Sequence, residues 1–210
     1  MIQGRIRRLI LASGSPRRAQ LLADNGYQFE VVPPPLEEPD ESSPRVPPEQ
    51  LAEALSYYKA RSVANTIRCS DAAILAADTV VAYQSRIFGK PGDAEAARAI
   101  LSVLAGTTHQ VITGVTVLQP ASGLRLIGHE VTHVTMRPMS PDVLDQYIAS
   151  GAWRGKAGAY GIQDHGDAYI ERIQGSFTNV VGLPMSLVAK MLQEVGYVSP
   201  ETNRVRRSQA

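Results

Sequence analysis

Apolar positions along the chain recur with two periods, and these periods predict a mixture of strands and helices. Apolar runs and alternating β-branched segments predict strands over 8–12, 28–32, 72–77, 79–83, 110–119, 124–137 and 168–173. Apolar residues at helical spacing predict helices over 16–25, 48–67, 93–106, 141–150 and 184–195. The strands at 110–119 and 124–137 are joined by Pro-Ala-Ser-Gly, which predicts a β-hairpin.

Strands and helices are interspersed along the chain but also clustered, which predicts a mixed α/β fold in one domain. We expect this domain to span residues 1–198 and residues 199–210 to form a flexible tail. Residues 33–48 contain seven of the 14 prolines and several acidic residues, so they predict a surface loop within the domain.

Composition and charge exclude several classes of protein. Of the 210 residues, 44% are hydrophobic and 20% are charged, which is typical of a globular chain. The formal net charge of +1 gives no support for bulk binding to nucleic acid or to an anionic membrane. No apolar stretch is long enough to span a bilayer, and a single cysteine allows no internal disulfide. A cytoplasmic protein is therefore expected.

The first predicted strand ends in small polar residues and leads directly into the helix that begins at Pro16. Ser15 is predicted to cap this helix. The free N–H groups of a helix N-terminus attract anions, and Ser13, Arg17 and Arg18 add donors that suit phosphate oxygens. Two arginines in the first turn oppose the helix dipole, a cost that an anionic ligand removes. The segment therefore suggests a phosphate-binding loop; the alternative is a capped surface helix with solvated arginines.

Asp78 is a carboxylate inside an apolar strand. Such a group needs an ion pair, hydrogen bonds or a metal ion. Two interpretations remain open: a structural salt bridge, or a general base or metal ligand at the open end of a strand. Lys59, Lys90 in a Gly-Lys-Pro turn, and the small-residue loop at 156–163 are further candidates, although each alone is more often structural.

Two sequence motifs point to chemistry that their context does not support. Residues 129–133 match the zinc-protease pattern H-E-x-x-H, but they lie in a β-branched segment. On a strand the two histidines would lie about 13 Å apart, too far for the bonds of about 2 Å that zinc requires. Ser56 and Lys59 match S-x-x-K, but no S-D-N element accompanies them. We expect both motifs to be inert.

Several segments together resemble the Maf family of nucleoside triphosphate pyrophosphatases. They follow one another in the family's order over about residues 8–195, and they are LASGSPRR, Lys59-Ala60, AADTVV, GKP, SGAWRGKAGAYGIQ and GSFTNVVGLP. The resemblance implies an inosine triphosphatase-like α/β domain, with a mixed twisted sheet flanked by helices around a central cleft. It also implies a homodimer.

The resemblance further implies an activity and a set of site residues. The family cleaves nucleoside triphosphates to monophosphate and pyrophosphate with Mg²⁺ or Mn²⁺. Asp78 would be the catalytic residue and a metal ligand, with Glu38 or its neighbour Glu37 as a second ligand. The residues implied to bind substrate are Ser13, Arg17, Arg18, Lys59, Thr79, Lys90 and Gln163. Of these, Arg17, Thr79 and Gln163 resemble the branch that prefers dTTP and UTP.

Two other functions remain open. A nucleotide-binding regulator without turnover, for instance one acting on cell division, would keep the phosphate-binding groups but would not need Asp78. A nucleic-acid-binding module is supported only by the basic clusters at residues 5–8 and 204–207, and the neutral charge balance argues against it.

Overall fold

The computed structural model describes residue 6 and residues 8–35, 46–67, 71–162 and 167–197. The strands in this part of the chain are β1 (Arg8–Leu11), β2 (Glu30–Val31), β3 (Ala72–Tyr83), β4 (Arg86–Phe88), β5 (Thr108–Gln119), β6 (Leu124–Met136) and β7 (Ile170–Gln174). The helices are α1 (Pro16–Asp24), α2 (Pro48–Ala64), α3 (Ala94–Leu104), α4 (Pro141–Ser150), α5 (Phe177–Val181) and α6 (Met185–Glu194).

All these strands belong to one mixed sheet with the order β2-β1-β3-β5-β6-β7, and β4 pairs with β3. β1 is parallel to β2 and to β3, whereas the pairs β3–β4, β3–β5, β5–β6 and β6–β7 are antiparallel. The predicted hairpin at 110–119 and 124–137 is therefore confirmed as β5 and β6. The mixed α/β fold class is confirmed as well.

Helices cover both faces of this sheet, and β3 shows how the sequence divides the two sides. Its alternate residues Ala72, Ile74 and Ala76 pack with Ala60 and Val63 of α2. The residues between them point to the larger core on the opposite face, which includes apolar residues of α1, α3, α4 and α6. No helix of the described residues is long and apolar enough to cross a membrane.

The structure corrects several details of the sequence prediction. β4 was not predicted, since three residues are too few to show an alternating pattern, and the strand predicted over 168–173 is β7, which begins at Ile170. The strand predicted over 28–32 is reduced to β2, whose register with β1 covers only Glu30 and Val31. The helix predicted over 48–67 ends at Ala64, where Thr66 turns back to the carbonyl of Val63. Helix α5 was not predicted, since five residues are too few to show a helical period.

A further correction concerns the start of α1. Ser15 occupies the N-cap position and Pro16 follows it, as predicted, but the Ser15 side chain makes no capping hydrogen bond. Instead, its backbone N–H donates to Oγ of Ser13 at 3.2 Å. The proposed tail at 199–210 lies outside the described residues.

Helix α2 approaches the sheet unusually closely at Gly114 of β5. A Cβ atom on this glycine would lie 2.2 Å from the carbonyl carbon and oxygen of Ala52 in α2. One turn further on, the hydroxyls of Ser56 and Thr116 are hydrogen-bonded at 2.7 Å. Glycine is therefore required at position 114 because any side chain would push the helix away from the strand.

We expect Gly114→Ala to lower the free energy of unfolding by about 3 kcal/mol, since overpacking here must move helix backbone rather than a flexible side chain. Urea denaturation measures the effect. Gly92→Ala is the matched control, because a Cβ at Gly92 meets nothing within 4 Å. Equal stability of the two variants would contradict a rigid contact between α2 and β5.

Candidate active site

A gap along one edge of β3 positions the candidate site. β1 pairs with β3 only as far as Leu75, and β4 begins to pair with it at Val81. Between these pairings, residues 76–80 have β5 on one side and no described strand on the other. Asp78 and Thr79 lie in this gap, next to the point where β1 ends and its loop leads into α1. The sheet topology therefore leaves this edge of β3 without a described partner strand at its two polar residues.

A cleft of about 470 Å³ opens beside this gap, a volume typical of a small-molecule site. Three chain segments line it: residues 13–18, residues 155–162 and residues 180–182. Lys59, Thr79 and Lys90 also line it, together with Pro34, Val81 and Val111. The structure thus places six predicted substrate-binding residues around one cleft: Ser13, Arg17, Arg18, Lys59, Thr79 and Lys90.

Arg18 connects three parts of the cleft wall. Its guanidinium group donates to the carbonyl of Gly182 at 2.8 Å, to Oγ1 of Thr79 at 3.1 Å and to Oγ of Ser13 at 3.4 Å. The side chain is buried, so these hydrogen bonds are shielded from water. Arg18 therefore holds the start of α1, strand β3 and the segment after α5 together. A direct contact with substrate stays a prediction.

Arg17 links the start of α1 to the opposite wall of the cleft. One of its Nη atoms donates to the carbonyl of Gly155 at 3.0 Å. This hydrogen bond lies at the surface, so the side chain can exchange it for a ligand oxygen at small cost. Ser13, in contrast, is almost fully buried and its hydroxyl already accepts two hydrogen bonds.

The predicted catalytic residue Asp78 forms a buried ion pair with Lys59. Nζ of Lys59 donates to Oδ1 of Asp78, and both side chains are almost completely shielded from solvent. Lys59 lines the cleft, whereas Asp78 lies directly behind it and does not line the cleft itself. The salt bridge and the functional interpretation of Asp78 are therefore compatible, because the pair stands at the cleft.

The second oxygen of Asp78 is suited to a cation. Oδ2 is buried and has no hydrogen-bond partner among the described residues. A carboxylate oxygen is a preferred ligand of Mg²⁺, so this residue fits a divalent metal. Within the described chain, no group of three or more His, Cys, Asp or Glu residues could hold a metal ion. The predicted ligand Glu38, its neighbour Glu37 and the predicted base-recognition residue Gln163 lie outside the described residues.

Three buried polar residues near the cleft were not predicted as site residues. Lys156 is buried and lines the cleft, and its side chain packs so tightly on Gly161 that a Cβ there would lie 2.9 Å from Cδ. Tyr160, also in the lining, is hydrogen-bonded through its hydroxyl to Nε2 of His109 at 2.6 Å. The sequence places Lys156 and Tyr160 in a candidate loop, but gives no signal that connects His109 to it.

His109 is held in its neutral form by burial. Desolvation lowers its pKa from 6.5 to about 4. Desolvation also raises the pKa of the Tyr160 hydroxyl, with a smaller contribution from Tyr147. The pair is therefore a hydrogen bond between two neutral groups throughout the neutral range.

We expect the protein to lose stability as the pH falls from 6.5 towards about 4, by up to about 3 kcal/mol from His109 alone. In this window the unfolded chain binds a proton on His109 that the folded chain excludes, so acid favours unfolding. Urea denaturation across the window checks this. The dependence on pH should weaken in His109→Gln but not in His133→Gln, a control at an exposed histidine. The same pH dependence in both variants would contradict the assignment.

The H-E-x-x-H segment lies on strand β6, as predicted. Both histidines are exposed and each has its own neighbour: Nδ1 of His129 contacts Oε1 of Glu53 at 2.8 Å, and Nε2 of His133 lies 3.5 Å from Nε2 of Gln110. The S-x-x-K motif lies on α2, where Ser56 is bonded to Thr116 rather than to Lys59. The helical geometry that a zinc protease needs is absent from this segment.

The cleft combines cationic side chains at a helix N-terminus with the open edge of a mixed α/β sheet. This combination is typical of proteins that bind a phosphorylated ligand. The chain belongs to the family described as Maf-like protein, whose sequence profile matches residues 8–195. The resemblance noted in the sequence is thereby confirmed.

Curated relatives are similar over almost the whole chain. The chain is 44% identical over 190 residues to a dTTP/UTP pyrophosphatase from Moorella thermoacetica, covering 90% of this chain and 95% of that protein. It is 39% identical over 193 residues to a dTTP/UTP pyrophosphatase from Pelotomaculum thermopropionicum, covering 91% and 98%. Among solved structures, a HAM1 protein from Coxiella burnetii matches with a TM-score of 0.49 and 16% identity, over 89% of this chain and 98% of that chain.

Proposed function

We propose that the chain is a nucleoside triphosphate diphosphatase that hydrolyses dTTP and UTP to the monophosphate and pyrophosphate. Membership of the Maf family and the names of the two relatives support this activity. The structural observation that supports it best is the buried Lys59–Asp78 pair at the cleft, since a binding site without turnover has no need of a buried carboxylate behind its cationic lining.

The cleft is electrostatically suited to a triphosphate. Arg17, Arg18, Lys59 and Lys90 line it together with the loop that leads into α1. A triphosphate brings several negative charges, and the first turn of α1 contains no acidic residue that would repel them. Charge that develops on the leaving pyrophosphate would be stabilised by these same cations.

We infer that Asp78 acts as the general base for an attacking water molecule. Substrate phosphates compete with Asp78 for the ammonium group of Lys59, so substrate binding would draw Lys59 towards the cleft and free the carboxylate. Asp78 then accepts a proton as the water oxygen bonds to phosphorus and the bond to pyrophosphate breaks. Lys59 thus changes its partner from Asp78 to substrate.

The proposal includes a divalent cation, Mg²⁺ or Mn²⁺, held by Asp78 and Glu38. When bound, such a cation neutralises phosphate charge and polarises a phosphoryl oxygen. Oδ2 of Asp78, which has no hydrogen-bond partner in the described part of the chain, supports the role of Asp78 as a ligand. We further propose that the protein forms a homodimer and that it binds neither nucleic acid nor membrane.

The test is pyrophosphate release from a panel of nucleoside triphosphates with Mg²⁺, on the parent and on Asp78→Asn. We expect turnover of dTTP and UTP by the parent and a loss of about 10²-fold or more in the variant. Because Asp78→Asn leaves the Lys59 charge buried without its partner, it should also destabilise the fold.

The double variant Asp78→Asn/Lys59→Met is the matched control for that destabilisation. It removes both charges, so stability should recover while turnover stays lost. Binding of dTTP without any release of pyrophosphate by the parent would favour the regulator instead. Near-normal turnover in a folded Asp78→Asn variant would show that Asp78 has a structural role and no catalytic one.

Base selectivity is proposed to depend on Gln163, which follows the cleft-lining loop. An amide can donate and accept, and so can pair with the N3–H and a carbonyl of uracil or thymine. We expect kcat/KM for dTTP and UTP to exceed that for CTP and GTP by about ten- to a hundredfold, the cost of an unpaired buried polar group. Gln163→Glu should weaken this preference, since its carboxylate repels pyrimidine carbonyls. An unchanged ranking of substrates would shift selectivity to Arg17 or Thr79.

A further inference from the structure

One wall of the cleft, formed by residues 155–162, has an unusual backbone. Gly155 and Gly158 have φ values of +66° and +68°, and Ala159, which is not a glycine, has φ of +64°. Left-handed backbone at a residue with a side chain is strained and persists only where its surroundings hold it. The wall therefore needs contacts that fix its conformation.

Two of the described contacts hold the backbone of this wall at Gly158. The N–H of Gly158 donates to the carbonyl of Gly89 at 3.1 Å, next to Lys90. A Cβ on Gly158 would lie 2.8 Å from Cγ2 of Val81, so the backbone is also packed against β3. Both contacts are made by Gly158, which precedes the strained residue Ala159 in the sequence.

Beyond Ala159, the wall is bonded to the sheet through Tyr160. Its hydroxyl lies 2.6 Å from Nε2 of His109 on β5, and the two rings meet edge to face with centroids 5.4 Å apart. Both side chains are buried, so water does not compete for this hydrogen bond. Tyr160 thus connects the strained turn to the centre of the sheet, immediately before the segment that leads to Gln163.

Burial of the His109 side chain costs free energy that a purely structural role would not require. Its Nδ1 is buried and has no hydrogen-bond partner among the described residues. An apolar side chain at this position would avoid leaving a polar atom unpaired. Local departures of this kind concentrate at functional sites, where geometry matters more than stability.

We propose that His109 and Tyr160 are a positioning pair that fixes the 155–162 wall in its nucleotide-binding conformation and so sets the affinity and base selectivity of the cleft. The proposal rests on the proposed function for its substrate. The imidazole stays neutral at neutral pH, which suits a hydrogen bond to a tyrosine hydroxyl.

Tyr160→Phe tests the pair, because it removes one oxygen and keeps the ring. We expect KM for dTTP to rise about five- to tenfold, in keeping with one lost hydrogen bond, with a smaller change in kcat. The ratio of kcat/KM for dTTP over CTP should fall. His109→Leu should behave alike, whereas His109→Gln keeps an amide that can donate to the hydroxyl or accept from it and should restore most of the affinity.

Tyr197→Phe is the matched control. Tyr197 is equally buried, and its hydroxyl donates to the carbonyl of Gln28 at 2.9 Å, but it does not line the cleft. The Tyr197→Phe substitution should lower the melting temperature without changing KM or base selectivity. If Tyr160→Phe also lowers only the melting temperature, the pair is structural and the inference is wrong.

Limited trypsin digestion gives a readout that does not depend on activity. Arg154 is exposed and Lys156 is buried at the start of the wall. We expect faster cleavage after these residues in Tyr160→Phe than in Tyr197→Phe, and unchanged cleavage would overturn the inference. If the parent does not hydrolyse dTTP but the digestion result holds, the proposed function fails and the positioning role of the pair stands.

Discussion

The ion pair between Lys59 and Asp78 joins the fold of this protein to its chemistry. Two buried charges are tolerated only as close partners, because each alone would lose its hydration without compensation. Their distance is set by the approach of α2 to β5 at Gly114, where backbone meets backbone, and by the hydrogen bond between Ser56 and Thr116. One glycine on a neighbouring strand thus determines where the lysine of α2 lies relative to the carboxylate of β3.

Around this pair, the cleft is held by hydrogen bonds to backbone and side chains rather than by apolar packing alone. Arg18 fixes one wall through Gly182, Thr79 and Ser13. The side chain of Asn179 donates to the carbonyl of Val111 and to Oγ1 of Thr132, which secures the short helix α5 on β5 and β6. Such directional contacts allow fewer alternative arrangements than apolar contacts do, so these walls of the cleft are already in place before a ligand arrives.

The sequence predicted local features of the site well and long-range partnerships poorly. The loop from Ser13 to Arg18 could be recognised because a strand, small polar residues and a helix follow one another directly. Asp78 was conspicuous as one charge in an apolar strand, but nothing identified Lys59 as its partner, since the contact depends on how α2 crosses the sheet. The His109–Tyr160 contact joins residues 51 positions apart, so no local pattern could indicate it. The roles of all the predicted site residues stay predictions, and Glu38 and Gln163 also lie outside the described residues.

The cations of the cleft differ in how firmly the protein itself binds them. Arg18 is buried with three acceptors, so its positive charge is tied to the wall, whereas Arg17 has an exposed bond to one carbonyl and Lys59 is paired with Asp78. A triphosphate that enters the cleft can therefore gain Arg17 at little cost, but can gain Lys59 only by competing with a carboxylate. In the proposed mechanism, that competition would link binding to reaction, because the carboxylate would become available as a base only when phosphate charge has replaced it as the partner of Lys59.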